Sequence, residues 1–223
     1  MGIGSFFYRT SKRLSRAHLY EWLEREVKSL PTGGQPLRCL NVGAGGDIYQ
    51  RIRKLTAAEI VQIDIDADRK PDIVTSVCAM PMFEDSSFDA VFMMEVLEHV
   101  TEPQQALNEI RRILKPGGRL ILSVPFIFPL HDEPHDYYRY TKYGLAYMLR
   151  NFSEVSIRER NATLDAILVL QARLIITGDK KQRLAGAAVF LSGLLCYPFM
   201  RPLTALCVPD KATTGYFVTA RRP

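Results

Sequence analysis

The stretch LNVGAGGD at residues 40–47, followed by VQIDID at residues 61–66, decides the fold. Leu37 to Val42 is an apolar run that reads as a strand, and it ends on three glycines, Gly43, Gly45 and Gly46. Residues 48–57 can form a crossover helix, and Ile60 to Ile65 a second strand that closes on acids. Missing side chains in the turn let the backbone approach a ligand and adopt unusual angles. Asp64 ends the second strand about twenty residues beyond the turn, where a carboxylate can accept hydrogen bonds from ribose hydroxyls. A dinucleotide fingerprint starting at Gly43 would need glycine at position 48. Ile48 stands there, so the turn fits NAD or FAD poorly.

The same rhythm continues outward. Phe88 to Met94 is a continuous apolar run, as a strand buried on both faces requires. Pro103 to Leu114 has helical periodicity, Pro116-Gly117-Gly118 ends it, and Arg119 to Val124 is the next strand. Alternating strands and helices imply a parallel sheet covered by helices. Thr141 to Phe152 reads as a helix, and Glu154 to Arg160 and Gly215 to Arg221 as the terminal strands. Upstream, residues 8–30 space Leu14, Leu19, Leu23, Val27 and Leu30 as an amphipathic helix, broken by Pro31, Gly33, Gly34 and Pro36.

Of the 223 residues, 47% are hydrophobic, enough for one substantial core. The net charge of +5 mixes 29 basic with 24 acidic residues, a modest excess, and no nucleic-acid partner is expected. Cys39, Cys78, Cys196 and Cys207 are widely spaced, which fits a reducing, cytoplasmic setting better than a zinc ribbon or a disulfide scaffold. Arg9, Lys12, Arg13 and Arg16 are followed by no long apolar run, so a retained N-terminus is expected.

With AMPMFEDSSFDAVFMMEVLEHV at 79–100 and LNEIRRILKPGGRLILSVP at 107–125, the chain resembles the class I S-adenosylmethionine-dependent methyltransferases over about residues 37–125. The resemblance implies that the first turn holds the methionine part of S-adenosylmethionine, the second-strand acid the ribose, and the loop before the fourth strand the adenine. It nominates Asn41, Gly43, Gly45, Asp64, Val77, Cys78 and Glu95 as cofactor-binding residues. Three positions depart from the family pattern: Asn41 replaces an acid, Asp47 the third glycine, and Ser76 an acid near adenine. The expected fold is α/β, a Rossmann-like, doubly wound, mostly parallel seven-stranded sheet with an apolar helical pair inserted before the last strand. Residues 1–36 would form an N-terminal helical extension and 37–223 the methyltransferase domain, with the insertion at 163–208.

Methyl transfer from a sulfonium is an in-line substitution that alignment and exclusion of water can promote, and no metal is called for. A hydroxyl acceptor gains from a general base. PFIFPLHDEPHDYYRYT at 125–141 lies on the carboxyl side of the sheet and offers His131 and His135 as bases, with His99 at the end of the fourth strand as a third catalytic candidate. Asp136, Tyr138 and Arg139 are candidate acceptor-binding residues; loop-to-core anchoring is the competing reading for the same groups. This segment resembles the loop of small sugar- and polysaccharide-modifying methyltransferases, which implies O-methylation of a sugar, glycan or other small hydroxylated acceptor. A quinone, lipid or natural-product acceptor is the alternative, and a non-catalytic cofactor-binding subunit the reading from another class.

Leu184 to Met200 contains no charged residue, and Lys180, Lys181 and Arg183 on one side and Arg201 on the other flank it. Such a segment suits an interfacial hairpin on the inner face of a membrane, or packing on the domain or on a second copy. A lipid-linked acceptor would fit the first case.

Overall fold

The computed structural model describes residues 16, 18–31, 35–175, 179–207 and 212–223. The expected helical residues 8–15 and the expected insertion end at 208 lie outside the described residues. Helix α1, over residues 18–28, is followed by β1 (Arg38–Val42), α2 (Ile48–Leu55), β2 (Glu59–Asp64), β3 (Ile73–Val74), β4 (Phe88–Met94), α3 (Pro103–Ile113) and β5 (Leu114–Pro125). Then come α4 (Lys142–Met148), β6 (Ser153–Glu159), α5 (Thr163–Arg173), α6 (Lys180–Cys207) and β7 (Gly215–Arg221).

The seven strands form one sheet in the order β3-β2-β1-β4-β5-β7-β6. From β3 to β5 every pairing is parallel. The last strand reverses. Arg222 donates to Gly118 O at 3.0 Å near the start of β5, whereas Phe126, just past its end, donates to Thr214 O at 2.8 Å. Arg160 likewise donates to Gly215 O at 2.9 Å, joining the end of β6 to the start of β7.

The burial of β4 explains its unbroken apolar sequence: Phe88, Ala90, Val91, Phe92 and Met93 are inaccessible to solvent. On α1, Trp22 stacks on Phe217 of β7 with ring centroids 4.6 Å apart, and Glu26 pairs with Arg119 of β5. Such a ring pair adds about 1 kcal/mol beyond the area it buries.

Three elements differ from the sequence expectation. β5 begins at Leu114 and runs through Pro116-Gly117-Gly118, because Gly117, at φ +74°, absorbs a register shift between the Phe88 and Ala90 pairings. β3 is two residues long, too short to leave a period in the sequence. α4 ends at Met148 rather than Phe152; a turn follows in which Phe152 donates to Leu149 O at 2.8 Å and Arg150 stacks on Tyr147.

Two compact units are present. Among the described residues, one gathers Phe126–His131 and Glu159–Gly215 with residues 16 and 18–20; the other comprises Glu21–Pro125, Asp132–Arg158 and Tyr216–Pro223. In the first, α5 packs on α6 through Leu168, Ala172, Ile175 and Phe190. The second contains β1 to β5 and the loop after Asp132.

Candidate cofactor cradle and catalytic edge

The carboxyl ends of β1, β2 and β4 bring the nominated residues to one edge of the sheet. The turn after β1 leaves the strand at Gly43, whose φ of +94° and whose approach to Val96 exclude a side chain: a Cβ would lie 2.7 Å from Val96 Cγ2. Gly43 N–H donates to Ile63 O at 2.8 Å, and Ala44 N–H to Asp64 Oδ2 at 2.6 Å. Asp64 Oδ1 accepts from Asp66 N–H at 2.9 Å. Each carboxylate oxygen therefore accepts one backbone donor and retains a lone pair for a hydroxyl. Arg69 lies where a side chain at Gly45 would have to go.

Asn41 carries the most direct sign of a ligand. It is 1% exposed, and its Nδ2 donates to Gly43 O at 2.8 Å, while its Oδ1 is buried without a hydrogen-bond partner. A buried acceptor left unpaired costs on the order of 1–3 kcal/mol, so it is kept where a ligand donor can meet it. The ammonium of a methionine moiety is such a donor, and in this respect the residues present fit S-adenosylmethionine.

Val77 and Cys78 form the turn after β3. Val77 is buried; Cys78 is tied to α3, its Sγ donating to Glu102 O at 3.5 Å and its carbonyl accepting from Gln105 Nε2 at 2.9 Å. Ser76 Oγ accepts Cys78 N–H at 3.2 Å. Glu95, directly after β4, has a left-handed φ of +54°, an uncommon conformation for a residue with a side chain. Its carboxylate accepts from buried Ser123 Oγ at 2.8 Å, and its N–H donates to Ser123 O at 3.0 Å. Ser123 was not singled out from the sequence; a lone hydroxyl in the apolar run LILSVP was the available signal.

His99 and His135 belong to the same compact unit. His99 Nδ1 lies 2.8 Å from His135 O and donates to that carbonyl, which makes Nε2 the acceptor nitrogen of the neutral ring. Nε2 stands 3.7 Å from the buried carboxylate of Glu98. His135 itself is exposed, with Nδ1 2.9 Å from the Tyr137 hydroxyl. His131 belongs to the other compact unit, where its ring meets Phe128 edge-on and Arg173 covers the Phe128 face.

The DYYRY residues clasp the short 3-10 turn Leu97–His99 that follows β4. Tyr137 and Tyr138 N–H both donate to Glu98 O, at 3.0 and 3.2 Å; Tyr138 hydroxyl donates to Thr101 O at 3.0 Å, and Tyr140 hydroxyl to Leu97 O at 2.9 Å. Burial, then nearby Glu98, pushes the Tyr140 phenol above its ordinary range, so it stays neutral. Arg139 forks onto Asp136 at 2.5 and 2.6 Å, and this pairing raises the guanidinium further above its usual range. Asp136, Tyr138 and Arg139 thus make bonds that brace the loop.

Arg112 is a second brace that sequence reading passed over. Its guanidinium makes bonds of 2.8–3.0 Å to Glu109, Asp85, Phe83 O and Met80 O, fixing the segment between the Val77–Cys78 turn and β4. Carbonyl partners leave no trace in a sequence pattern.

Residues 40–122 match the family described as "Methyltransferase domain". Together with the fold shared with solved S-adenosylmethionine-dependent methyltransferases, this match supports methyl transfer with S-adenosylmethionine as the cofactor. Among curated relatives, it is 28% identical over 152 residues to a demethylmenaquinone methyltransferase of Clavibacter sepedonicus, with 61% of each chain covered. It is 34% identical over 100 residues to a ubiquinone biosynthesis O-methyltransferase of Xanthomonas oryzae pv. oryzae, covering 39% of this chain and 42% of that one. The chain thus spans about two fifths to three fifths of the length of these relatives. Among solved structures, a S-adenosylmethionine-dependent methyltransferase from Archaeoglobus fulgidus superposes with TM-score 0.61 at 14% identity, covering 93% of this chain and 94% of that one. Geranyl diphosphate C-methyltransferase from Streptomyces coelicolor, solved with S-adenosylhomocysteine, gives 0.63 at 14% identity, covering 93% and 81%. These likenesses bear on the fold.

Proposed function

We propose that the chain transfers a methyl group from S-adenosylmethionine to a small-molecule acceptor, with a ring hydroxyl of a quinol-type molecule favoured over a sugar. The buried, unpartnered Oδ1 of Asn41 beside the Gly43 turn carries the cofactor half of this reading. Asn41, Gly43 and Asp64 would hold the methionine and ribose parts, and Val77 and Cys78 the adenine. S-adenosylmethionine supplies an electrophilic methyl group on a sulfonium centre.

The acceptor half rests on the two relatives, whose names concern menaquinone and ubiquinone; the choice of a hydroxyl rests on the second, which is named an O-methyltransferase. Neither of these two names concerns the sugar expected from the 125–141 loop. The loop's own bonding also weighs against it, since Arg139 is committed to Asp136 and the Tyr138 and Tyr140 hydroxyls to backbone carbonyls. For a phenolic hydroxyl, His99 is the base we favour: the His135 carbonyl fixes its tautomer, and Nε2 can take the proton. Glu98 then stabilises the imidazolium.

The test is incubation of the chain with isotopically methyl-labelled cofactor and separated polar and lipid extracts, read by mass spectrometry. Label in a quinone fraction is the expected result, and label in glycans restores the sugar reading. Tight calorimetric binding of S-adenosylhomocysteine without turnover of any fraction would favour the non-catalytic reading. Absence of binding would end the assignment.

A further inference from the structure

Among the described helices, α6 is the one long and apolar enough to cross a membrane, yet only 11% of its most apolar stretch is buried. It is 28 residues long, about 42 Å. Its two long faces differ in kind. Gly186, Phe190, Gly193 and Tyr197, at spacings of four and three, face α5: Gly186 abuts the Leu174 backbone, Gly193 abuts Gln171, Phe190 enters the shared core, and the Tyr197 hydroxyl donates to Asp165. The opposite face carries Leu184 (75% exposed), Leu191, Leu195 (74%), Phe199 (76%), Leu203 and Leu206 (84%), again at helical spacing. So long an apolar stripe in contact with water marks an interaction surface.

Charge identifies the occupant. Between residues 180 and 207 there is no Asp or Glu, whereas Lys180, Lys181 and Arg183 precede the stripe and Arg201 lies near its end. The carboxylate that α5 offers, Asp165, is engaged by Tyr197. Asp179, just before the stripe, caps the helix by accepting from Gln182 N–H at 2.9 Å, so two copies meeting through this face would bring mainly cations together. Anionic lipid headgroups complement a basic end of this kind.

Topology excludes a single crossing of the bilayer. The insertion leaves β6 at Arg160 and returns to β7 at Gly215, and these two residues are hydrogen bonded at 2.9 Å in adjacent strands of one sheet. The number of crossings between them must be even. α5, at 11 residues or about 16 Å, is too short to supply a second passage through about 30 Å of hydrocarbon. We infer that α6 lies in the plane of an anionic membrane surface, with the Leu184–Leu191–Leu195–Phe199–Leu206 stripe in the acyl boundary and Lys180, Lys181 and Arg183 on phosphate headgroups. This placement does not depend on the acceptor proposed above, although it suits one dissolved in lipid.

Flotation of the full chain with vesicles tests it, using phosphatidylcholine alone or with a third of phosphatidylglycerol. The wild-type chain floats with the anionic vesicles and sediments with the neutral ones. Lys180→Gln, Lys181→Gln and Arg183→Gln together lower the partition on the order of a hundredfold, at about fivefold per cation. Leu191→Gln with Leu195→Gln abolishes flotation, while circular dichroism shows an unchanged melt because neither side chain is in the core. Lys28→Glu, at an exposed position of α1, leaves flotation unchanged. A wild-type chain that stays at the bottom with anionic vesicles overturns the inference, as does one that floats equally with neutral vesicles. So does a wild-type dimer by sedimentation that the Leu191/Leu195 variant splits without any flotation.

Discussion

Ala44 donates its backbone N–H to Asp64 Oδ2 at 2.6 Å, so the turn after β1 and the acid that ends β2 are one hydrogen-bonded piece. Asp64→Asn replaces an ionised acceptor with an amide that can still accept from Ala44. Affinity for S-adenosylhomocysteine should fall roughly 10- to 100-fold by calorimetry, the cost of about one charge-assisted bond. Asp64→Ala should bind no better than Asp64→Asn and should also lower Tm, because Ala44 and Asp66 N–H lose their acceptor. Equal affinity of wild type and Asp64→Asn would remove Asp64 from the cofactor site.

His99, not His131 or His135, should control turnover. His99→Gln keeps a side chain of similar reach but cannot take a proton, and kcat should drop on the order of 10²-fold or more with cofactor affinity unchanged. His131→Gln and His135→Gln should stay within a few-fold of wild type, since the His135 contribution to His99 is its backbone carbonyl. A collapse of kcat in His135→Gln alone would return the base to the exposed loop histidine.

Arg112 braces the segment between the Val77–Cys78 turn and β4, and its five bonds set the expected cost of losing it. Arg112→Ala should destabilise the fold by about 2–3 kcal/mol in urea, and Arg112→Lys should recover little because an ammonium cannot match the planar fork. The Arg112 hydrogen bond holds the Glu109 carboxyl below its ordinary range. That stabilisation is fully present above the ordinary carboxylate value of 4.5 and is lost as pH falls through the lowered folded value. Glu109→Gln should therefore be less stable than wild type at pH 7, with the gap closing under acid conditions below pH 4.5. A gap that is constant with pH would show that the pair contributes nothing through its charge.

The thiols should separate by burial. Burial, reinforced by Asp89, pushes Cys39 up to about 12, so it carries almost no thiolate at pH 8. A maleimide should label exposed Cys196 within minutes and leave Cys39 unmodified until the chain is unfolded, as read by peptide mass spectrometry. Early modification of Cys39 would mean that β1 opens locally far below the global unfolding free energy.

What the sequence disclosed follows from which interactions side chains advertise. The Gly43 turn, Asp64, the apolar run of β4 and the Gly215–Arg221 strand were legible because each imposes its own composition. The clasp of Tyr137, Tyr138 and Tyr140 on Leu97 and Glu98 was not, because its acceptors are main-chain carbonyls that every residue possesses. Asp136, Tyr138 and Arg139 are acceptor candidates whose observed bonds also brace the loop, and the sequence does not separate the two uses because both draw on the same polar residues. The Gly117 bulge hid in a Pro-Gly-Gly signal that normally ends an element, since the same backbone freedom lets a strand shift register and continue.

The hydrogen bond between Arg160 and Gly215 closes the neck from which the 163–207 pair extends. A hairpin already closed at its neck is nearly indifferent to what hangs between its strands, because each doubling of an intervening segment adds only about 0.6 kcal/mol of closure entropy. Chains built on this sheet are free to exchange, shorten or discard the 163–207 pair without disturbing the register of β6 and β7. If α6 lies on a membrane as inferred above, attachment to that surface and the chemistry of the sheet edge can thus be inherited independently.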